Sequence, residues 1–125
     1  MTINSIKRGV LAAVTAAFMA GTALAAEVKS IAIMTPEEGT DFGWNQQGVD
    51  AARAAAEAAG IEVIVASGLG YGDVRPALRE IAADGASLII AHASGYATSA
   101  PEIAEETQVP VAIVESPQAL KPGLV

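Results

Sequence analysis

The chain has 125 residues, no cysteine and a formal net charge of −7 at neutral pH. Its length predicts one domain, and the absence of cysteine excludes a disulfide framework and any thiol-based catalytic or metal site. The acidic balance argues against nucleic acid and anionic membrane surfaces as partners, because both attract basic proteins.

The first 25 residues have the pattern of a secretory signal peptide. Lys7 and Arg8 precede an apolar stretch, Val10–Ala20, that is too short to span a bilayer, and Ala23 and Ala25 form a small-residue cleavage signal. We expect cleavage after Ala25 and release into the periplasm without a lipid anchor, since no cysteine follows the leader. An anchor that is never removed is the alternative. Removal of the leader, which carries the positive charges of Lys7 and Arg8, changes the net charge from −7 to −9.

From residue 28 onward, apolar strands alternate with helices. Strands are predicted at Val28–Met34, Ile61–Ala66, Ala86–Ala91 and Val109–Glu115. Helices are predicted at Trp44–Ala59, ended by Gly60, at Val74–Asp84, with Asp73 as its N-cap, and after Ser99 or Ala100, with Pro101 in the first turn. The strands are apolar throughout, as a sheet covered on both faces requires.

This alternation predicts an α/β fold. We expect a parallel sheet of about four strands in the order 2-1-3-4, with right-handed crossovers and helices on both faces. The segment 116–125 contains two prolines and a glycine and is interpreted as a loop. No helix follows the fourth strand to cover its edge, which native chains usually protect. We therefore interpret residues 26–125 as the front part of a longer protein.

The loop after the first strand has the most informative composition. Asp41–Gln46 places an acid, a Phe, the only Trp of the chain and two amides within six residues. Ligands of α/β sheets bind at the carboxyl ends of the strands, so this mixture predicts a pocket that stacks on a polar solute and hydrogen-bonds to it. Structural alternatives are that Trp44 packs on the sheet, that Asp41 caps the first helix, and that the amides are ordinary first-turn residues.

The loops after the second and third strands carry weaker signals. Gly68–Gly72 lacks the Lys-Ser/Thr pair of a phosphate-binding loop and is interpreted as flexible. His92, the only His, has no evident partner for a metal or a catalytic triad. Ser94 lies near it but lacks the Gly-x-Ser-x-Gly context of a nucleophile, so no catalytic, metal or cofactor site is predicted. Tyr96 either lines the pocket or seals the third helix.

Five features resemble the basic membrane protein family of extracytoplasmic solute-binding proteins of ABC importers. They are the leader with the first strand, the D-x-G-W-N-Q motif at Asp41–Gln46, the segment Val74–Gly85, the third strand followed by Ser94–Tyr96, and the tail Leu120–Val125. The resemblance implies a type I periplasmic-binding fold, in which two lobes close on a solute and present it to a membrane permease. Residues 26–125 would then be part of the N-terminal lobe of a monomeric protein.

The resemblance also implies where the solute binds. The expected ligand-binding residues are Asp41, Phe42, Trp44, Asn45, Ser94, Gly95 and Tyr96. Trp44 occupies the place of an aromatic that stacks on the purine base in the best-known members. Those nucleoside binders also tend to carry an acid where this chain has Ala100, which argues against a purine nucleoside while leaving a small polar solute as the ligand. A small secreted α/β enzyme or a binding module without a transport role is the alternative.

Overall fold

The computed structural model describes residues 27–116 of the chain. The strands are β1 (Ser30–Met34), β2 (Glu62–Ala66), β3 (Leu88–Ala91) and β4 (Val111–Ile113). The helices are α1 (Trp44–Ala59), α2 (Arg75–Ala83) and α3 (Ser99–Thr107), with one 3₁₀ turn at Ser94–Tyr96. The predicted signal peptide and the tail Leu120–Val125 lie outside the described residues. Within residues 27–116, every helix is too short or too polar to cross a membrane.

The four strands form one parallel sheet in the order β2-β1-β3-β4. In its register, Ala32 of β1 lies beside Ile64 of β2 and Ile89 of β3, and Ile90 of β3 lies beside Ala112 of β4. The predicted fold class, strand order and parallel pairing are therefore confirmed.

The two faces of the sheet have separate hydrophobic cores. Along β1, Ile31 and Ile33 point to one face, where Val49, Ala52 and Ala56 of α1 cover them. Ala32 and Met34 point to the other face, which α2 and α3 cover with Leu78, Ile81 and Ile103. Because side chains alternate along a strand, a strand buried on both faces needs apolar residues toward each face. All five residues of β1 are buried, and the one polar residue, Ser30, donates its hydroxyl hydrogen to the Gly85 carbonyl oxygen at 2.8 Å.

The helices end and begin close to the predicted positions. Gly60 ends α1 in the left-handed conformation (φ 66°), where its lack of a Cβ removes the steric penalty. The N-cap of α2 is Val74, one residue later than predicted, although Asp73 still accepts a 3.2 Å hydrogen bond from the Arg75 N–H. The ladders of β1, β3 and β4 are shorter than the apolar runs from which they were predicted.

Candidate functional site

The sheet topology opens a crevice at the carboxyl ends of β1 and β3. The chain leaves β1 toward β2 by way of α1 on one face, and it leaves β3 toward β4 by way of α3 on the other face. Two neighbouring strands whose connections depart in opposite directions leave a gap between their loops. The loop 35–43 and the segment 92–98 therefore form the two sides of this crevice.

Trp44 and His92 join the two sides of the crevice. Their rings stack with centroids 4.6 Å apart and an interplanar angle of 16°. His92 Nε2 lies 3.0 Å from the Trp44 carbonyl oxygen. Since a carbonyl only accepts hydrogen bonds, Nε2 carries the proton. His92 is 8% exposed whereas Trp44 is 45% exposed, so the buried imidazole supports an indole that remains open to solvent.

Gly48 allows this arrangement. Residues 44 and 48 are one turn apart and share a face of α1, and His92 fills the space that a side chain at residue 48 would occupy. A Cβ atom at Gly48 would lie 2.5 Å from His92 Nε2. The glycine therefore lets the helix approach the end of β3 closely enough for the Trp44–His92 stack to form.

Asp41 organises the start of α1. Its Oδ1 accepts hydrogen bonds from the N–H groups of Gly43 (2.9 Å) and Gln46 (3.0 Å), and its Oδ2 accepts from the Asn45 backbone (3.3 Å) and side chain (2.7 Å). These hydrogen bonds lower the pKa of Asp41 from 3.8 to about 2, and the bond from the Asn45 side chain contributes most. The N-cap residue of α1 is Gly43 rather than Asp41, but both oxygens of the Asp41 carboxylate accept hydrogen bonds from N–H groups of the first turn and are engaged with the chain itself.

Asn45 has a buried acceptor without a partner. The side chain is 6% exposed, and Nδ2 donates to Asp41, which fixes the amide orientation because a carboxylate only accepts. Asn45 Oδ1 is then left as the one buried side-chain N or O atom of residues 27–116 without a hydrogen-bond partner. An unsatisfied buried acceptor costs about 1–3 kcal/mol, so this oxygen marks a place where a donor from outside the chain would be stabilising.

Phe42 is held in an unusual and exposed position. It has a positive φ of 55° and is 94% exposed, and its N–H donates to Gln46 Oε1 at 2.9 Å. Bulky residues rarely adopt this conformation, and such strain is often found at functional sites. An open hollow of about 170 Å³ beside it is lined by Phe42, Gly43, Gln46, Gln47 and Asp50. No residue of the segment 92–98 lines this hollow, so it is separate from the crevice.

The predicted residues after β3 divide into two groups. Ser94 and Gly95 are exposed at the crevice. Tyr96 is fully buried, and its hydroxyl donates a 2.9 Å hydrogen bond to the Gly70 carbonyl oxygen. Burial raises the pKa of Tyr96 to about 12. The structure therefore corrects the prediction that Tyr96 lines the pocket, because its ring belongs to the core beneath α2 and α3.

Sequence reasoning missed three residues of this region. His92 stacks on Trp44, Gly48 makes room for it, and Tyr71 is 65% exposed with its ring against Gly95. Tyr71 could have been found from the sequence, because it follows the carboxyl end of a strand. His92 and Gly48 could not, because their roles depend on a contact between distant segments. Within the part of the chain that the structure describes, no three His, Asp or Glu side chains group to hold a metal ion.

Comparison with solved structures identifies proteins of the same fold. An ABC transporter solute-binding protein from Conexibacter woesei is 24% identical over 66% of this chain, with a TM-score of 0.60. A putative lipoprotein fragment from Peptoclostridium difficile is 17% identical over 77% of this chain and 81% of its own, with a TM-score of 0.66. The periplasmic binding protein of an arabinose ABC transporter from a Shewanella species, bound to L-arabinofuranose, is 22% identical over 74% of this chain and 31% of its own, with a TM-score of 0.54.

These likenesses show that the chain has a periplasmic-binding-protein fold. The chain spans 28% of the length of the Conexibacter protein. No protein-family model matches the chain, and no curated protein sequence matches it. Membership in the basic membrane protein family therefore stays a prediction from the sequence motifs.

Proposed function

We propose that this chain supplies one lobe of an extracytoplasmic solute-binding protein of an ABC importer, of the basic membrane protein type. It binds a small polar solute at the crevice between the β1 and β3 loops and delivers it to a membrane permease. The observation that carries the proposal is the half-exposed Trp44 ring. One face of this ring stacks on the buried His92, at the crevice between the β1 and β3 loops.

The exposure of Trp44 argues against the packing alternative. An indole that only sealed α1 against the sheet would be covered, because burying an aromatic side chain is among the larger stabilising terms in a fold. In residues 27–116, the exposed large aromatics are Phe42, Trp44 and Tyr71. All three follow the carboxyl ends of β1 or β2, the edge where α/β sheets bind ligands.

The polar groups at this edge favour an uncharged, ring-bearing solute. Asn45 Oδ1 needs a donor, the Ser94 hydroxyl is exposed, and the Asp41 carboxylate is already engaged. A hydroxyl-rich ring offers such donors and an apolar face that stacks on Trp44. The arabinofuranose bound by the Shewanella protein is a ligand of this class, and a nucleoside carries a comparable furanose ring, so both classes belong in the test.

An enzymatic role has less support. His92 is the only His of the chain, and its Nε2 is engaged with the Trp44 carbonyl while its ring stacks on the indole. These contacts hold the imidazole as part of a binding surface rather than as a base for Ser94. The Conexibacter and Shewanella neighbours in the fold are proteins of ABC transporters by description, which is consistent with binding without turnover.

The test is isothermal calorimetry on the complete gene product with pentoses, furanose sugars and nucleosides. We expect one class to bind and Trp44→Ala to weaken it about 5- to 150-fold, which corresponds to about 1–3 kcal/mol for one stacking aromatic. Val28→Ala, which removes an exposed apolar side chain before β1 at the opposite edge, is the control. Unchanged affinity in Trp44→Ala would remove the indole from the site, and no binding across the panel would contradict the proposed solute class.

A further inference from the structure

We propose that Tyr71 is a second aromatic wall of the solute crevice and determines which ring-bearing solutes fit there. The inference rests on the proposed function, since it concerns the same crevice. Tyr71 follows β2, whereas the crevice was predicted from the loops of β1 and β3 alone. Tyr71 is 65% exposed, and its ring lies against Gly95.

The loop after β2 reaches across the end of β1. In the sheet, β1 separates β2 from β3, yet the Tyr71 ring lies directly on the segment that follows β3. A Cβ atom at Gly95 would be 2.8 Å from Tyr71 Cδ1. The ring therefore occupies the surface that this glycine leaves free, on the segment that forms one side of the crevice.

Backbone hydrogen bonds hold this loop in place. The N–H groups of Gly68, Leu69 and Gly70 donate to the carbonyl oxygens of Glu37 (3.1 Å), Thr35 (3.2 Å) and Pro36 (2.9 Å), and Tyr96 donates to Gly70 (2.9 Å). The segment that the sequence analysis interpreted as a flexible loop is therefore anchored to the loop after β1 and to Tyr96. An exposed aromatic on an ordered backbone loses little conformational freedom when a ligand binds, which favours affinity.

Tyr71 and Trp44 approach the same short segment from opposite faces of the sheet. Trp44 begins α1 and stacks on His92, while Tyr71 precedes α2 and lies on Gly95. The helices α1 and α2 cover opposite faces. The residues 92–95, including the exposed Ser94, therefore lie between the two rings, and a solute seated on them meets an aromatic surface on each side.

The phenol ring suits a solute that combines a flat or apolar face with polar groups. Its face can stack on a base or on the C–H face of a sugar, and its hydroxyl can donate or accept one hydrogen bond. Replacement by Phe keeps the first property and removes the second. Tyr71→Phe and Tyr71→Ala together therefore separate the contribution of the ring from that of the hydroxyl.

Gly95 provides a way to move the Tyr71 ring without removing it. The added methyl of Gly95→Ala must displace the ring, because the two would be 2.8 Å apart. Gly72→Ala is the matched control, since a Cβ there meets nothing within 4 Å. The affinity of the complete gene product for the solute that it binds is measured by calorimetry in each variant, in Tyr71→Ala/Gly95→Ala, and in Trp44→Ala.

We expect Tyr71→Ala to weaken binding about 5- to 150-fold, with a melting temperature close to that of the wild type because the ring is exposed. Gly95→Ala should also weaken binding, but have little further effect in the Tyr71→Ala background, which is the signature of two changes acting through one contact. Gly72→Ala should bind like the wild type. If Tyr71→Ala proves unstable, Tyr71→Leu takes its place in both the single and the double variant.

The outcomes separate this inference from the proposed function. Loss of affinity in Trp44→Ala together with wild-type affinity in Tyr71→Ala would overturn the role of Tyr71 and leave the solute site standing. Wild-type affinity in both variants would overturn the site itself. Equal effects of Gly95→Ala with and without Tyr71 would show that residue 95 acts on the solute by another route, and would also overturn the proposal.

Discussion

The rings of His92 and Trp44, 48 residues apart in the sequence, lie stacked with their centroids 4.6 Å apart. This contact ties the end of β3 to the start of α1, and it is reinforced by the hydrogen bond from His92 Nε2 to the carbonyl oxygen of the same Trp44. Because Trp44 is the only Trp of the chain, its fluorescence reports on this one contact.

Replacing His92 should expose the indole. In His92→Ala both the stacked ring and the hydrogen bond are lost, so we expect the Trp44 emission to shift to longer wavelength and acrylamide to quench it more efficiently. His92→Phe keeps a ring but not the donor, and should protect the indole better than Ala does. Equal quenching in the wild type and His92→Ala would contradict the contact.

Gly48→Ala tests how tightly α1 approaches His92. In a helix interior, Ala is favoured over Gly by about 1 kcal/mol, yet here the new methyl would meet the imidazole at 2.5 Å. We expect a lower free energy of unfolding in urea and a Trp44 emission like that of His92→Ala. Ala51→Gly, at an exposed position of the same helix, measures the difference in helix propensity between Ala and Gly without the imidazole contact. A gain of about 1 kcal/mol in Gly48→Ala would show that the imidazole moves freely.

Asp41 should make the stability depend on acid pH. Its pKa in the folded protein, about 2, lies below the ordinary value of 3.8, so the carboxylate binds fewer protons in the folded than in the unfolded state between these values. Its stabilising effect is fully present above about pH 4 and is lost as the pH falls through about 2.

Asp41→Asn should therefore flatten the decline of the free energy of unfolding between pH 4 and pH 2, because an amide cannot titrate and cannot accept all four hydrogen bonds. Urea unfolding at a series of pH values measures this slope. Glu57→Gln removes one negative charge near the other end of α1 and is the control. An unchanged slope in Asp41→Asn would show that the carboxylate does not hold the helix start in solution.

The two tyrosines of the chain should respond differently to loss of the hydroxyl. Tyr96→Phe removes a buried hydrogen bond to Gly70 and should cost about 1 kcal/mol of unfolding free energy. Tyr71→Phe, at a 65% exposed position, should cost much less. Urea unfolding of both variants gives the comparison, and equal costs would contradict the burial of Tyr96.

Much of the fold followed from local patterns. Apolar runs bounded by Gly60 and by polar loops predicted the strands and helices. Their regular alternation predicted a parallel sheet, for which the expected order β2-β1-β3-β4 is the one observed. The predicted strands were longer than the observed ladders, since an apolar residue can pack in the core without pairing in the sheet. The place of the crevice followed from the same topology.

The sequence by itself thus determined which segments form the sheet and which edge carries the polar and aromatic residues, because hydrophobic periodicity and capping act over a few neighbouring residues. Only the tertiary structure decided which aromatic faces solvent. Tyr71 and Tyr96 both follow a glycine near a strand end, but the path of the 67–73 loop across β1 buries Tyr96 beneath it and leaves Tyr71 outside. Likewise, the role of His92 depends on Gly48, which leaves space for its ring, and on Trp44, on which the ring stacks. Such a contact between distant segments leaves no local pattern in the sequence.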